Sequence, residues 1–156
     1  MKKVLITGGA GYIGTELTSL LLESGYAVTV YDTLMYDGAI LIPYFKDKNF
    51  HFVKGDILDK EKLSEVIEDK DVIIHLAAVV GYFACDKNKR LSTDINVLGT
   101  QNVIDSINKK NTVKKIIFAS SSEVYGEPIS NPVSENDITQ GKTVYAVTKL
   151  AGEEIV

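Results

Sequence analysis

One eight-residue stretch narrows the folds open to this chain more than any other: Thr7-Gly8-Gly9-Ala10-Gly11-Tyr12-Ile13-Gly14. It follows the apolar run Lys3-Val4-Leu5-Ile6, which reads as a strand. It opens Tyr12 to Glu23, which reads as a helix with Ile13, Leu17, Leu20 and Leu21 on one face and Gly25 as its stop. Gly9, Gly11 and Gly14 match G-x-G-x-x-G, and Gly8, Gly11 and Gly14 match the looser G-x-x-G-x-x-G. The turn needs positive φ, the backbone must approach a pyrophosphate, and Gly14 lets helix pack closely on strand. The helix N-terminus then offers free N–H groups and partial positive charge to phosphate.

The rest of the chain repeats this alternation. Ala27 to Tyr31, Phe50 to Val53, Asp71 to Leu76 and Val113 to Ala119 read as strands two to five. Between them, Thr33 to Lys48 reads as irregular with a short helix near Ile40 to Phe45. Asp59 caps a helix running to Glu68, Asn88 to Lys109 is mostly one long helix, and a last helix starts near Thr143. Such β-α-β-α order implies a parallel sheet with right-handed crossovers. Strands one, four and five are apolar almost throughout, as a sheet buried on both faces requires. The expected strand order is 3-2-1-4-5, with a ligand-binding switch point between strands one and four.

A chain of 156 residues suits one domain with a sizeable core. Its net charge of −4, without a basic block, excludes a phosphate-tracking nucleic-acid surface. A single cysteine, Cys85, rules out an intramolecular disulfide and fits a reducing cytoplasm. The N-terminal apolar run is too short for a signal peptide, and Val72 to Gly81, the longest such stretch, is too short to span a membrane. A soluble cytoplasmic protein is expected, and no metal site is predicted.

Asp32 lies at the end of strand two, roughly 20 residues past the glycine turn, where an acid binds adenosine ribose hydroxyls and repels a 2′-phosphate. NAD is therefore expected over NADP. Asp56 follows strand three and reads equally as a helix cap or a ligand contact. His75, amid apolar residues, reads as a packed histidine with one backbone partner rather than a general base. The small pair Ala77-Ala78 would let backbone approach a cofactor. Cys85 reads as inert, and Met35 as packing or loop filler.

Strand five ends Ser120-Ser121-Ser122-Glu123-Val124-Tyr125-Gly126, so three hydroxyls and a carboxylate leave the sheet on the ligand side. Tyr145 and Lys149 are one helical turn apart on one face. A neighbouring ammonium favours the phenolate, so Lys149 is expected to lower the pKa of Tyr145 from its ordinary value near 10.

Taken in order, TGGAGYIG, Asp32, Gly55-Asp56-Ile57, His75-Leu76-Ala77-Ala78, Asn96 in DINVLGT, SSSEVYG and YAVTK resemble the N-terminal part of an extended short-chain dehydrogenase/reductase. The resemblance is to the NAD-dependent epimerase/dehydratase family acting on nucleotide sugars, and it covers essentially the whole chain. It implies an α/β fold, a Rossmann-type doubly wound parallel sheet. It implies that residues 1–156 form the NAD-binding domain, with Tyr12 and Ile13 over the pyrophosphate and Gly8, Gly11 and Gly14 in the turn. Asp32 would hold the adenosine ribose and Asp56-Ile57 the adenine. Leu76, Ala77 and Ala78 would line the cofactor, and Asn96 would support the site. Ser121 aligns with the family's catalytic Ser/Thr, Tyr145 with its base, and Lys149 with the residue that holds the nicotinamide ribose and tunes the base.

The implied reaction begins when Tyr145 takes the proton of a sugar 4-hydroxyl hydrogen-bonded by Ser121. Hydride passes from C4 to NAD, and its return to the other face makes an epimerase. Glu123 bears on the branch. Sugar 4,6-dehydratases resemble T-D-E where this chain has Ser121-Ser122-Glu123, and some uronate decarboxylases have T-S-E. Glu123 is therefore a candidate base or a surface turn residue. An epimerase is the first expectation, with dehydratase, decarboxylase, carbonyl or hydroxysteroid-type reductase, and a non-catalytic dinucleotide-binding module as alternatives. Val144, where the family often has proline, and Thr148, where it often has serine, are tolerable departures. The resemblance further implies a C-terminal substrate domain beyond Val156, a homodimer in the full-length form, and exposed Leu150, Ile155 and Val156 where that segment would pack.

Overall fold

The computed structural model describes residues 1–110 and 112–156. Five parallel strands, β1 (Lys3–Thr7), β2 (Ala27–Asp32), β3 (Phe50–Lys54), β4 (Val72–His75) and β5 (Lys115–Phe118), form one sheet of order β3-β2-β1-β4-β5. β1 is central, with Val4 opposite both Val28 and Val72. Because side chains alternate along a strand, it feeds two cores. Val4 and Ile6 join Val28, Val30, Phe50 and Ile74 on one face. Leu5 joins Tyr31, Leu63, Ile67, Ile73 and Val103 on the other. Helices α1 (Tyr12–Glu23), α2 (Lys60–Ile67) and α5 (Thr100–Lys110) cover these faces.

Several expectations change. α1 buries Gly14, Thr15 and Thr18, with Leu17, Leu21 and Leu22 against the core, while Ile13 and Leu20 are exposed. β5 is not buried on both faces: among the described residues it pairs only with β4, and Ile117 is 43% exposed. A helix, α3 (Tyr82–Lys87), precedes the long helical run. That run is itself interrupted, since α4 (Lys89–Thr93) passes through a π turn at Asp94–Gly99 into α5. Asp59 caps α2 by accepting the Lys62 N–H at 3.1 Å, as expected. A 3-10 helix occupies Ala39–Lys46, and a second, Ser122–Tyr125, follows β5. The last helix, α6 (Val144–Ile155), is capped by Thr143. At its end Val156 is exposed, but Leu150 and Ile155 are half-buried. No described helix is long and apolar enough to cross a membrane.

Candidate active site

At the carboxyl ends of the strands lies a cleft of about 610 Å³. The glycine turn, the ends of β2 and β4, the segment after β3, and Tyr145 and Lys149 of α6 all line it. The turn is built by contact. Gly8 has φ +70, and a Cβ there would lie 2.6 Å from Ala77 N; a Cβ on Gly14 would lie 2.5 Å from Gly9 Cα. Gly11, the N-cap of α1, has no side chain to cap the helix, so the first N–H groups, at Tyr12 and Ile13, open on the cleft. This cradle of close backbone and free donors fits a pyrophosphate.

Asp32 is tied to its own surroundings. Oδ2 accepts the Ala10 N–H at 3.0 Å and Oδ1 the Leu34 N–H at 2.8 Å. A carboxylate has about four lone-pair sites, so capacity remains for ribose hydroxyls. Leu34 has φ 59 and turns the chain, which places Leu34 to Asp37 along the cleft. Met35, expected as packing or loop filler, lies in this loop, exposed and on the cleft wall rather than packed in the core. No sequence signal marked that segment. Asp56 does not cap a helix. It accepts the Leu58 N–H at 2.9 Å in a local turn and lines the cleft beside Ile57. Tyr31 donates its hydroxyl to the Asp56 carbonyl at 2.8 Å, and its ring fills the space a Cβ on Gly55 would need.

Leu76, Ala77 and Ala78 form the opposite wall. Asn96 does not line the cleft. It is buried behind this wall, accepts the Val79 N–H at 2.8 Å, and donates to the Val79 carbonyl and to Thr148 Oγ1, each at 3.0 Å. The π turn presents Asn96 there, and no periodicity in the sequence shows such a turn. His75 is buried, but its partners are the hydroxyls of Thr7 and Thr100 rather than a backbone group. Cys85 is buried, donates to the Val79 carbonyl at 3.3 Å, and has its thiol pKa pushed up by burial, as an inert cysteine should.

Tyr145 and Lys149 are 6% and 4% exposed. Lys149 donates to the Ala119 carbonyl at 2.8 Å and lies 4.9 Å from the Phe118 ring centroid. Burial lowers its pKa to about 8. Its ammonium is 5.9 Å from the Tyr145 ring centroid, yet the tyrosine pKa is raised, not lowered. Burial is the largest cause, and the nearby Glu123 and Cys85 add to it, while the Ser121 hydroxyl pulls the other way. The lowering expected from spacing alone is not found, because burial sets the direction and Lys149 is not among the causes of the shift. Ser121 hydrogen-bonds Tyr145 from outside the cleft lining and takes the Glu123 N–H at 3.3 Å, while Ala119 and Ser120 form the nearby cleft wall. Ser120, the first of the three strand-end serines, donates to Glu153 of α6. Glu123 is not among the residues lining the cleft, and the Thr143 hydroxyl donates to its Oε2 at 3.0 Å.

A phosphate cradle at the switch point, an acid at the end of β2 and a buried Tyr/Lys pair define a dinucleotide-binding oxidoreductase-type domain. The family profile described as NAD dependent epimerase/dehydratase matches residues 4–156. The chain belongs to this family, whose members are NAD-dependent enzymes. A UDP-N-acetyl-alpha-D-glucosaminuronate decarboxylase of Bacillus cytotoxicus is 38% identical over 136 residues, covering 87% of this chain and 41% of that protein. The structure of UDP-glucose 4-epimerase from Brucella ovis in complex with NAD superposes with a TM-score of 0.90 at 33% identity, covering 99% of this chain and 46% of the other. A dTDP-glucose 4,6-dehydratase from Streptomyces venezuelae, also with NAD bound, gives a TM-score of 0.91 at 31% identity, covering 98% and 50%. UDP-glucose 4-epimerases recur among the curated relatives. The chain spans about half the length, or less, of the curated relatives it matches.

Proposed function

We propose that residues 1–156 are the NAD-binding and proton-transfer part of a nucleotide-sugar 4-epimerase. The observation that carries the choice within the family is the recurrence of UDP-glucose 4-epimerases among its curated relatives. Glu123 offers at most one base, with Oε2 accepting from Thr143 Oγ1 at 3.0 Å at the start of α6. Ser122 adds no second acid. What remains at the cleft is the apparatus for moving one proton and orienting one carbonyl.

The residues divide the work as follows. The N–H groups of Tyr12 and Ile13 hold the pyrophosphate, and Asp32 holds the adenosine ribose through lone pairs not used by Ala10 and Leu34. Lys149, fixed by the Ala119 carbonyl, holds the nicotinamide ribose. When bound, NAD supplies a hydride acceptor and a positive charge. Tyr145 takes the proton from the sugar 4-hydroxyl and later returns it, while Ser121 donates to the same oxygen. Sugar recognition falls to a separate substrate part, which agrees with the half-length coverage of the relatives.

The test is an assay of the protein together with its substrate part, using UDP-glucose, a UDP-uronate and dTDP-glucose; residues 1–156 alone should turn over little. The expected product is the 4-epimer, without CO2 release or a 4-keto-6-deoxy sugar. Tyr145→Phe should keep NAD binding and lose turnover by about a hundredfold or more. Release of CO2 or formation of the deoxy product places the protein in another branch, and Tyr145→Phe with unchanged turnover removes Tyr145 from the mechanism.

A further inference from the structure

Between β1, β4 and the helix that follows the π turn lies a line of buried side chains that proton and hydride transfer do not use. His75 Nδ1 is 2.6 Å from Thr7 Oγ1, and Nε2 is 3.0 Å from Thr100 Oγ1. All three residues are 1% exposed or less. Thr100 Oγ1 also donates to the Asn96 carbonyl at 2.7 Å. A hydroxyl has one proton, and Asn96 takes it. Toward His75 the Thr100 oxygen must therefore accept, so Nε2 carries the hydrogen.

The remaining directions follow. Nδ1 is bare and accepts the Thr7 hydroxyl proton. Thr7 Oγ1 then turns a lone pair to the Ala77 N–H, 3.4 Å away. The line runs one way: Ala77 N–H to Thr7, Thr7 to His75, His75 to Thr100, Thr100 to the Asn96 carbonyl. A second ring proton would meet the Thr7 hydroxyl and leave that hydroxyl's own proton unplaced. Around the ring stand Thr7, Thr100, Phe118 at 5.8 Å between centroids, and Lys149. Of these only Lys149 carries charge, and it is positive. Burial first, then Lys149, lowers the His75 pKa to about 3.

Both ends of this line grip the same piece of cleft wall. Thr7 meets the Ala77 N–H, and Ala77 is also the backbone that Gly8 approaches too closely to permit a Cβ. Asn96 holds the N–H and carbonyl of Val79. We propose that His75 is a positioning residue, which as the neutral Nε2–H tautomer joins Thr7 to Thr100 and fixes residues 77–79 against the glycine turn. Its effect on cofactor affinity rests on the cleft being the NAD site, while the tautomer and the rigidity of the wall do not.

The chain has two histidines, so the imidazole nitrogens are readily assigned by NMR on uniformly 15N-labelled protein, with exposed His51 as reference. His75 should show the Nε2–H pattern, unchanged between about pH 5 and 8. An Nδ1–H pattern, or titration in that range, overturns the proposal. His75→Asn puts an amide oxygen where Nδ1 accepts from Thr7, whereas His75→Leu removes both bonds. Exchange of the Ala77 amide should rise about tenfold or more in the leucine variant and stay within about threefold in the asparagine variant. The NAD dissociation constant should rank the variants in the same order. Equal effects of Asn and Leu on exchange make His75 mere packing and overturn the proposal. Should the leucine variant not fold, His75→Gln, whose amide falls on the Nε2 side, replaces it with the same expectation. Failure of the unsubstituted protein to bind NAD removes the functional reading, and the tautomer and exchange results still decide this one.

Discussion

Thr143 and Glu123 are joined by a hydrogen bond of 3.0 Å, and the same threonine oxygen accepts the Ala146 N–H that opens α6. The Glu123 carboxylate is thereby anchored at the positive end of the helix that carries Tyr145. Its charge adds to burial in raising the Tyr145 pKa, against the Ser121 hydrogen bond, which lowers it. Glu123→Gln keeps an acceptor for Thr143 and removes the charge. The Tyr145 pKa should fall, and the rise of kcat/KM with pH should move to lower pH. Glu123→Ala also takes away the Thr143 acceptor and should cost about 1 kcal/mol of stability. A pH profile left in place by Gln excludes this electrostatic coupling.

Lys149 gives a pH dependence of opposite origin. Its folded pKa is about 8, against an ordinary 10.5, because burial disfavours the charged form. Between those values the unfolded chain binds more protons than the folded one, so stability from this residue rises as pH increases through that window. Below about 8 both states are charged and the burial penalty is felt in full. Relative to Lys149→Met, the native protein should gain up to ~3 kcal/mol between pH 8 and 10.5. Parallel denaturant titrations of the two proteins measure the difference, and a constant gap across that range contradicts it.

The contrast between these two residues shows what could be read without coordinates. The glycine turn, the five strands and their order were legible because β-branched runs, capping residues such as Asp59 and a compulsory turn chemistry all point one way. Tyr145 and Lys149 were legible as a pair by spacing. The direction of the Tyr145 shift was not, because burial set it and burial depends on the whole fold. α3 was missed because six residues between Gly81 and Asn88 are too few to show a helical period. The wall from Leu34 to Asp37 was missed because a leucine at φ 59 has no sequence signature.

Asp32 serves the turn as well as the ligand, and its substitutions should separate the two roles. Asp32→Ala leaves the Ala10 and Leu34 N–H groups without their acceptor, at ~1–3 kcal/mol for each that stays buried. Asp32→Asn keeps one carbonyl oxygen and removes the charge that opposes a 2′-phosphate. Preference for NAD over NADP should narrow by about tenfold or more in the asparagine variant. Calorimetric titration with both cofactors reads this ratio directly. An unchanged ratio shifts the discrimination to other residues of the cleft.

Gly14 and Gly25 make a matched pair for the turn itself. A Cβ on Gly14 would stand 2.5 Å from Gly9 Cα and 2.7 Å from Gly9 O, both backbone atoms that cannot rotate aside. Gly14→Ala must push α1 away from the turn, at ~1–3 kcal/mol of stability, and displace the Tyr12 and Ile13 donors from the phosphate cradle. Gly25 has φ +80 with nothing within 4 Å of a built Cβ. Gly25→Ala should cost ~1 kcal/mol for left-handed backbone alone and leave the cleft untouched. Denaturant midpoints should therefore fall in both variants, whereas NAD affinity should fall only in Gly14→Ala. Equal NAD affinities in the two would mean that the approach of Gly14 to Gly9 does not shape the cofactor site.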